Sequence, residues 1–387
     1  MTLRRDAYRA VIVGAGVLGL FTAYHLARAG AGPVLVLERG FLSSGSSGRN
    51  GGGVRQQWET RSTVRLARES VAAYRQFGRE FGYNIWFRQG GYLFLASSPA
   101  ELAQLRAVHD LVSSEGLPSR MVGPDDVGRW IEGIAPGSTV GGSYLATDGT
   151  LYPFPVLWSL YEAVQSLGVE VALRTELVGT VVRDGTVAGV STSAGPVTTG
   201  CLVNAAGGWS GEISRQAGVP TPNLASRHEI FATEPMKRFL DPMVVRVRDG
   251  LYFSQSMRGE LIGGIAVPHR PGTARGVPSS PQFLTRMAGA LFDLVPRLGT
   301  LGVLRAWSGY YDDTPDGFPV IGEDPRLGGF VHANGFGGHG FMLAPAASRR
   351  VVAAVLGEPS DLAPEEFAPG RFLVGGRVAR AEGLQLG

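Results

Sequence analysis

Apolar residues fall along this chain in two rhythms. Unbroken apolar runs at Ala10-Val11-Ile12-Val13 and Val34-Leu35-Val36-Leu37 have the length and β-branching of strands buried on both faces. Between them Leu20, Ala23, Tyr24 and Ala27 recur at helical spacing across Val17 to Gly30. Strand, helix and strand in that order predict a βαβ unit, the opening of a parallel sheet. Thr60 to Phe81 predicts a long amphipathic helix. Further helices are expected over 99–115, 152–167, 280–295 and 341–356, with Pro153 and Pro155 suited to the first turn of the second of these. Strands are expected over 91–96, 169–173, 177–183, 187–192 and 201–205, and the stretch 224–265 is strand-rich. No internal repeat is visible. Parallel-sheet patterning recurs at the start, middle and end, and the segments between look antiparallel. That predicts two interleaved domains built from discontinuous pieces. The first takes 1–88, 148–222 and 312–373, the second 89–147 and 223–311, and 374–387 is expected to be a loose tail rich in Gly and Arg.

Composition narrows the chemistry. The chain has 387 residues, 44 % of them apolar and 18 % charged, which suits two or three folded domains with a sizeable core. Only one cysteine (Cys201) and one lysine (Lys237) occur. A single cysteine excludes an internal disulfide, a Cys₄ zinc site and an iron–sulfur cluster within the chain. Lys237 follows no glycine motif, which excludes a P-loop, and it is the one residue that could carry a pyridoxal Schiff base. The arginines are scattered and net charge is +3, so no nucleic-acid surface is expected. No apolar run approaches ~18 residues, so no membrane-spanning helix is expected. The run at 10–20 is broken by three glycines and reads as strand and turn rather than signal peptide. The expected location is cytoplasmic, with peripheral attachment to the inner face of the membrane left open.

The 57 glycines are about twice the usual ~7 % share and have no collagen period. They cluster. Gly14-Ala15-Gly16-Val17-Leu18-Gly19 follows a strand, opens a helix and has Glu38 at the end of the next strand. Gly14 permits the tight turn, Gly16 lets a pyrophosphate reach the backbone, and Gly19 lets helix and strand pack closely. The helix N-terminus then faces phosphate, and Glu38 accepts from a ribose. The alternative is a tight strand–helix turn with nothing bound. Ser46-Ser47-Gly48-Arg49-Asn50-Gly51-Gly52 offers hydroxyls, backbone N–H groups and a cation for more phosphate and a flavin edge; alone it could be a surface loop. Ala206-Gly207-Gly208-Trp209 ends a strand in a small-residue turn that brings backbone toward the same nucleotide, or is an ordinary strand end. Arg39 and Val178 complete the candidate nucleotide contacts on this side. Near the C-terminus Gly337-Gly338-His339-Gly340-Phe341-Met342 runs into a helix. Its first N–H groups and positive dipole end suit the negative charge of a reduced flavin, which favours FAD over NAD.

These segments, with Val54-Arg55, Asp148-Gly149, Arg227-His228-Glu229, Tyr252 to Gly264, Arg305 to Tyr311 and Thr314-Pro315-Asp316-Gly317, resemble the glycine/sarcosine/D-amino-acid oxidase superfamily of FAD enzymes. The likeness is greatest to the β subunits of heterotetrameric sarcosine oxidase and dye-linked L-proline dehydrogenase, and it spans about residues 8–373. The resemblance implies an α/β fold: a discontinuous Rossmann-like FAD-binding domain of glutathione-reductase type, plus an α+β substrate domain with a mainly antiparallel sheet. It implies hydride transfer from the C–N bond of an amino acid or secondary amine to the flavin, giving an imine that hydrolyses. The electron acceptor is oxygen, quinone or a partner subunit, and a hetero-oligomer is one of the arrangements implied.

Departures from the family's pattern carry information. The position nearest a flavin-tethering cysteine is Gly309, so FAD is expected to be non-covalent. Tyr152-Pro153-Phe154-Pro155 stands where β subunits carry a histidine for covalent FMN, so FMN is expected only with a partner subunit. The oxygen-activating lysine of sarcosine oxidase falls near Ile262, and a substrate-binding lysine falls at Met342. An active-site arginine of glycine oxidase falls at Tyr311. The amino-acid reading therefore needs another cation, and the resemblance implies Arg55, which matches an arginine that family members place beside flavin and substrate; the alternative is an arginine on phosphate or at the surface. Tyr252 and Tyr311 are candidates to line the pocket, or are core tyrosines. His339 faces the flavin or hydrogen-bonds within its loop. His228 and Glu229 fit no metal spacing, and no metal is expected. The resulting expectation is an FAD-dependent dehydrogenase, with a true oxidase releasing H₂O₂ and a β-type subunit of a larger dehydrogenase as the other readings.

Overall fold

A computed structural model describes residues 3–268, 271–273, 277, 279–361 and 364–373. The predicted tail, 374–387, lies outside them. In the described residues two large sheets organise the chain. The first has six strands in the order Val320–Glu323, Phe330–Asn334, Leu202–Asn204, Ala10–Val13, Val34–Glu38 and Glu170–Leu173. Neighbours run parallel except at the Val320–Glu323 edge. Side chains alternate across a strand, and both faces are covered. Ala10, Ile12, Val34 and Val36 pack with the helices Val17–Arg28 and Gly340–Leu356. Val11, Val13, Leu35 and Leu37 pack with Val187, Val190 and Val197 of a three-stranded antiparallel sheet. Burial on both sides is why these strands read as unbroken apolar runs.

The second sheet has eight strands: Val303–Asp313, Leu224–Thr233, Leu261–Gly264, Leu251–Gln255, Met243–Arg246, Tyr92–Ala96, Gly141–Leu145 and Ser119–Val122. It is antiparallel apart from the pairing of Met243–Arg246 with Tyr92–Ala96. One face packs Leu93, Leu95 and Phe253 against Phe283, Met287 and Leu291 of the helix Pro281–Leu294. The other face looks toward the first sheet. This is the expected pairing of a Rossmann-like layer with a largely antiparallel layer.

The helix Arg61–Phe81 starts where Thr60 caps it by accepting from the Thr63 N–H, and ends at Gly82 in the left-handed region. The strand Leu177–Arg183 has the bounds expected for it. Elements not foreseen include the strands Ser119–Val122, Gly141–Leu145, Gly195–Thr198, Val303–Asp313, Val320–Glu323 and Phe330–Asn334 and the helices Pro124–Trp130 and Ser210–Gln216. In Val303–Asp313 the buried positions are Ser308, Tyr310 and Asp312, so no hydrophobic alternation marks it.

Candidate active site

The first glycine motif forms the turn its spacing predicts. Gly14 takes φ +108° and donates its N–H to the Leu37 carbonyl at 2.8 Å; a Cβ there would overlap the Ala205 carbonyl oxygen. Gly16 has no side chain to cap the helix Val17–Arg28. Ser47 supplies the cap from a distant loop, accepting the Val17 N–H at 3.0 Å. Glu38 holds the same turn, accepting from Ala15 N–H at 3.1 Å and Gly40 N–H at 2.8 Å. Arg39 lies over the Trp209 ring, 4.2 Å from its centroid, and 3.9 Å from Glu176. The Ala206–Trp209 turn is pinned by buried Asn204, which donates to the Ser210 carbonyl at 2.9 Å and the Ser214 hydroxyl at 3.0 Å.

The Ser/Gly loop is fastened to the second sheet. Arg49 donates to the Ser44 carbonyl at 2.9 Å and the Ser308 carbonyl at 3.0 Å. Ser46 donates to the Tyr310 carbonyl at 2.5 Å, and Trp307 donates to the Arg49 carbonyl at 2.9 Å. The loop thus bridges the layers, and the Arg49 guanidinium serves backbone carbonyls.

Between the layers lies a cleft of about 1210 Å³ including its mouth. Gly16, Val17 and Leu18 line one side, with Ser46, Ser47, Arg49, Asn50 and Gly51 beside them. Gly207 and the run Gly337–Met342 line another, and Arg55, Tyr252 and Tyr311 close it. The structure therefore brings most of the expected residues to one space. Gly14, Ala15, Gly19, Gly52, Ala206 and Trp209 lie outside the lining but next to residues that form it; Glu38 and Arg39 also lie outside it, Glu38 accepting from the Ala15 N–H and Arg39 over Trp209. Val178 lies elsewhere, exposed on the three-stranded sheet, its carbonyl accepting from Gln216.

Arg55 is 2 % exposed. Its guanidinium lies over Trp58 at 4.2 Å and Phe94 at 5.3 Å, and its Nη2 is 3.3 Å from His339 Nε2. His339 is the last residue before the helix Gly340–Leu356, whose first intrahelical bond is Leu343 N–H to the His339 carbonyl at 3.2 Å. The N–H groups of the preceding turn belong to residues lining the cleft. Gly338, at φ +83°, lies flat on the Tyr311 ring, where any Cβ would collide. Tyr311 in turn stacks on His228, with centroids 3.6 Å apart.

Two buried carboxyls frame the site. Asp148 accepts from the Gln56 N–H at 2.8 Å and from the side chains of Gln56 and Gln57 at 3.1 Å, which fixes the segment carrying Arg55. Burial pushes its pKa up to about 7, against those donors and the Arg55 charge. Asp312 accepts from Gly335 N–H at 2.7 Å and Asn223 at 3.0 Å, and its carbonyl accepts from Gly337 N–H at 2.9 Å. Burial pushes it up to about 7 as well. Burial also raises Tyr92, Tyr252 and Tyr311, so all three are neutral hydroxyls.

Sequence reasoning passed over Tyr92, Ile230, Met243, Val245 and Asp312, all of which line the cleft. Asp312 had a signal, an acidic residue just before Thr314-Pro315-Asp316. The others are ordinary strand residues, and only sheet register brings them together.

The family described as DAO, FAD dependent oxidoreductase, matches residues 9–354. Sarcosine oxidase subunit beta from Rhodobacter capsulatus is 29 % identical over 379 residues, covering 95 % of this chain and 91 % of that protein. Mitochondrial sarcosine dehydrogenase from Mus musculus is 29 % identical over 361 residues; the match covers 86 % of this chain and 38 % of that longer protein. The crystal structure of L-proline dehydrogenase from P. horikoshii superposes with a TM-score of 0.89 at 31 % identity, covering 96 % of this chain and 99 % of that one.

Proposed function

The chain belongs to the FAD-dependent oxidoreductase family, and from that premise we propose that it oxidises the C–N bond of an amino acid or secondary amine of the sarcosine, proline or glycine kind. The observation that carries this is Arg55, a buried cation 3.3 Å from His339 at the mouth of a glycine-lined helix N-terminus. The cleft suits FAD. Two helix N-termini open into it for a diphosphate and an electron-rich ring, and glycines leave the backbone bare at both. Gly16–Leu18, Ser46, Ser47 and Gly207 would hold the dinucleotide, and Gly337–Met342 the ring edge.

Bound FAD supplies a two-electron acceptor for substrate hydride. The chain's own residues do the positioning. Arg55 grips the substrate carboxylate, and Trp58 and Phe94 beneath it exclude water, which strengthens that attraction. Asp148, through Gln56 and Gln57, keeps Arg55 in place. The helix N-terminus at Gly340 presents fixed partial positive charge where negative charge accumulates, with no reorganisation.

The FAD is held non-covalently, because Gly309 lines the cleft with no nucleophile at the tether position. Ile262 lies beside the Gly51 wall, 3.9 Å from where a Cβ of Gly51 would stand, and offers no cation to oxygen. The natural acceptor is therefore a quinone or a partner protein. Rapid stoichiometric peroxide formation with a good substrate would overturn this part of the reading. No described helix is long and apolar enough to cross a membrane.

A second reading, a β-type subunit working with a partner that carries FMN, is favoured by one surface feature. Trp86, Phe154 and Trp158 are each about half exposed, and Trp86 packs edge-on against Tyr152 at 5.5 Å. Purified chain that takes hydride but passes electrons to dye only when co-expressed with neighbouring genes supports it. Full dye-linked turnover by the chain alone argues against it.

A further inference from the structure

Polar residues interrupt the face of the first sheet that carries Val11, Val13, Leu202 and Phe330. Asn204 and His332 stand side by side on neighbouring strands, and Asn334 follows two residues after His332 on the same face. All three are at most 1 % exposed. Polar groups persist in such a layer where hydrogen bonds satisfy them, and here the bonds form a chain.

The chain runs one way. The Asn334 amide nitrogen lies 3.3 Å from the Asn204 carbonyl, which can only accept, so the same nitrogen donates to His332 Nδ1 at 3.2 Å. His332 Nδ1 then bears no proton, and Nε2 donates to Asp324 at 2.9 Å. The far end imposes the same tautomer. Arg326 donates to both oxygens of Asp324, at 2.9 and 2.7 Å. Burial would raise the Asp324 carboxyl, but the bonds from Arg326 and His332 hold it well below the usual carboxylate range, so it accepts from Nε2. Toward the cleft, the Asn334 oxygen accepts from Asn223 at 3.1 Å, and Asn223 also donates to Asp312 at 3.0 Å. The Asn223 oxygen has no partner among the described residues, so those two acceptors orient its amide. Asp312 ends the chain on the flavin loop, taking the Gly335 N–H at 2.7 Å and, through its carbonyl, the Gly337 N–H at 2.9 Å. Arg326 also donates to the Pro220 carbonyl at 3.2 Å, on the loop that carries Asn223.

Resting on the reading that Gly337–Met342 holds the flavin ring edge, we propose that His332, Asn334 and Asn223 are positioning residues for bound FAD. They carry the orientation fixed at the Arg326–Asp324 pair through the sheet to Asp312, which holds the loop. Were Asn334 to turn over, its nitrogen would face the Asn223 nitrogen, donor against donor, and Asp312 would lose its hold. FAD would then have to restore the loop as it bound.

Two substitutions at one position test this by FAD affinity, read from flavin fluorescence as the flavin-free chain is titrated. In His332→Asn the amide oxygen can stand where Nδ1 stood and accept from Asn334. In His332→Gln the amide nitrogen can stand where Nε2 stood and donate to Asp324, and Asn334 loses its acceptor. His332→Gln should weaken FAD roughly tenfold, and His332→Asn by no more than about threefold. Space filling alone predicts the reverse order, because glutamine is nearer histidine in volume; that order, or equal affinities, overturns the proposal. Arg326→Gln, at the partly exposed end, should weaken FAD several-fold, and wild-type affinity there overturns the proposal if neither histidine variant folds. Imidazole nitrogen NMR of the FAD-loaded chain at neutral pH should show His332 as the neutral Nε2–H form, and a ring protonated at Nδ1 overturns it. Wild-type affinity in His332→Gln with FAD lost from Gly338→Ala overturns this proposal and leaves the loop reading intact. Wild-type affinity in both overturns both.

Discussion

At the scale of single residues, the proposed chemistry rests on Arg55 and the carboxyls around it. Arg55→Gln keeps the length of a polar side chain and removes the charge. A lost charge-assisted hydrogen bond is worth about 1.5–3 kcal/mol, so kcat/KM for an amino acid should fall roughly 10- to 100-fold, mainly through KM. Arg55→Lys should recover only part, because an ammonium cannot lie flat on Trp58. Steady-state dye-linked kinetics decide both.

Asp148 and Asp312 give a pH prediction. Each sits near 7 in the folded chain, raised from an ordinary value of 3.8. Between these values the folded state keeps a proton that the unfolded state has lost. Stability therefore falls as pH rises from about 4 to 7 and levels off above, by up to a few kcal/mol per carboxyl. Asp148→Asn should flatten part of that slope, at a pH-independent cost of about 1–3 kcal/mol for mismatched donors. Urea unfolding of flavin-free protein between pH 4 and 8 measures it. A wild-type stability that rises across this window contradicts the assignment.

Not all of these roles were visible beforehand. Arg55 was reached through the family resemblance, and His339 stood out because it lies in a glycine-rich loop. The use of Arg49 did not, because the carbonyl of Ser308 that engages it lies far along the sequence.

At the scale of elements, the glycine loop and the helix it feeds are the part most dependent on shape. Gly338 combines φ +83° with close packing on Tyr311, which is fixed by its stack on His228. Gly338→Ala must displace that ring or the loop, and the purified variant should carry much less FAD, read from the ratio of flavin to protein absorbance. Wild-type FAD content in this variant would show that the loop does not hold the ring. Ser47→Ala removes the cap on the helix Val17–Arg28 and should cost about 1 kcal/mol of stability. Helices and doubly buried strands were legible because each has a strong period of its own. The strand Val303–Asp313 was not, because its buried residues are Ser308, Tyr310 and Asp312. In the row of Ile230, Tyr252 and Val245 across the second sheet, Tyr252 alone was expected at the pocket, and the other two were not legible. The residues are ordinary strand formers, and their meeting depends on a register that no local signal announces.

At the scale of the whole molecule, the cleft exists because the chain passes repeatedly between two sheets. The loop at 41–53, the helix N-terminus at Gly340 and the strand row arrive from distant parts of the sequence. Ligand binding should therefore stabilise the whole chain together. FAD at 100 times its Kd should add about 2.7 kcal/mol, read as a raised melting temperature. After acid precipitation the flavin should stay in the supernatant, since Gly309 offers it no bond; yellow colour in the pellet would contradict this.

The most direct test is anaerobic mixing of the FAD-loaded chain with proline, sarcosine, glycine and other amino acids and N-methyl amines, following the flavin band. Bleaching by at least one α-amino or α-imino acid, lost or slowed at least tenfold at fixed substrate in Arg55→Gln, is the predicted result. Bleaching by a hydroxy acid or NADH with no response to any amine, or equal bleaching in Arg55→Gln, would contradict the account.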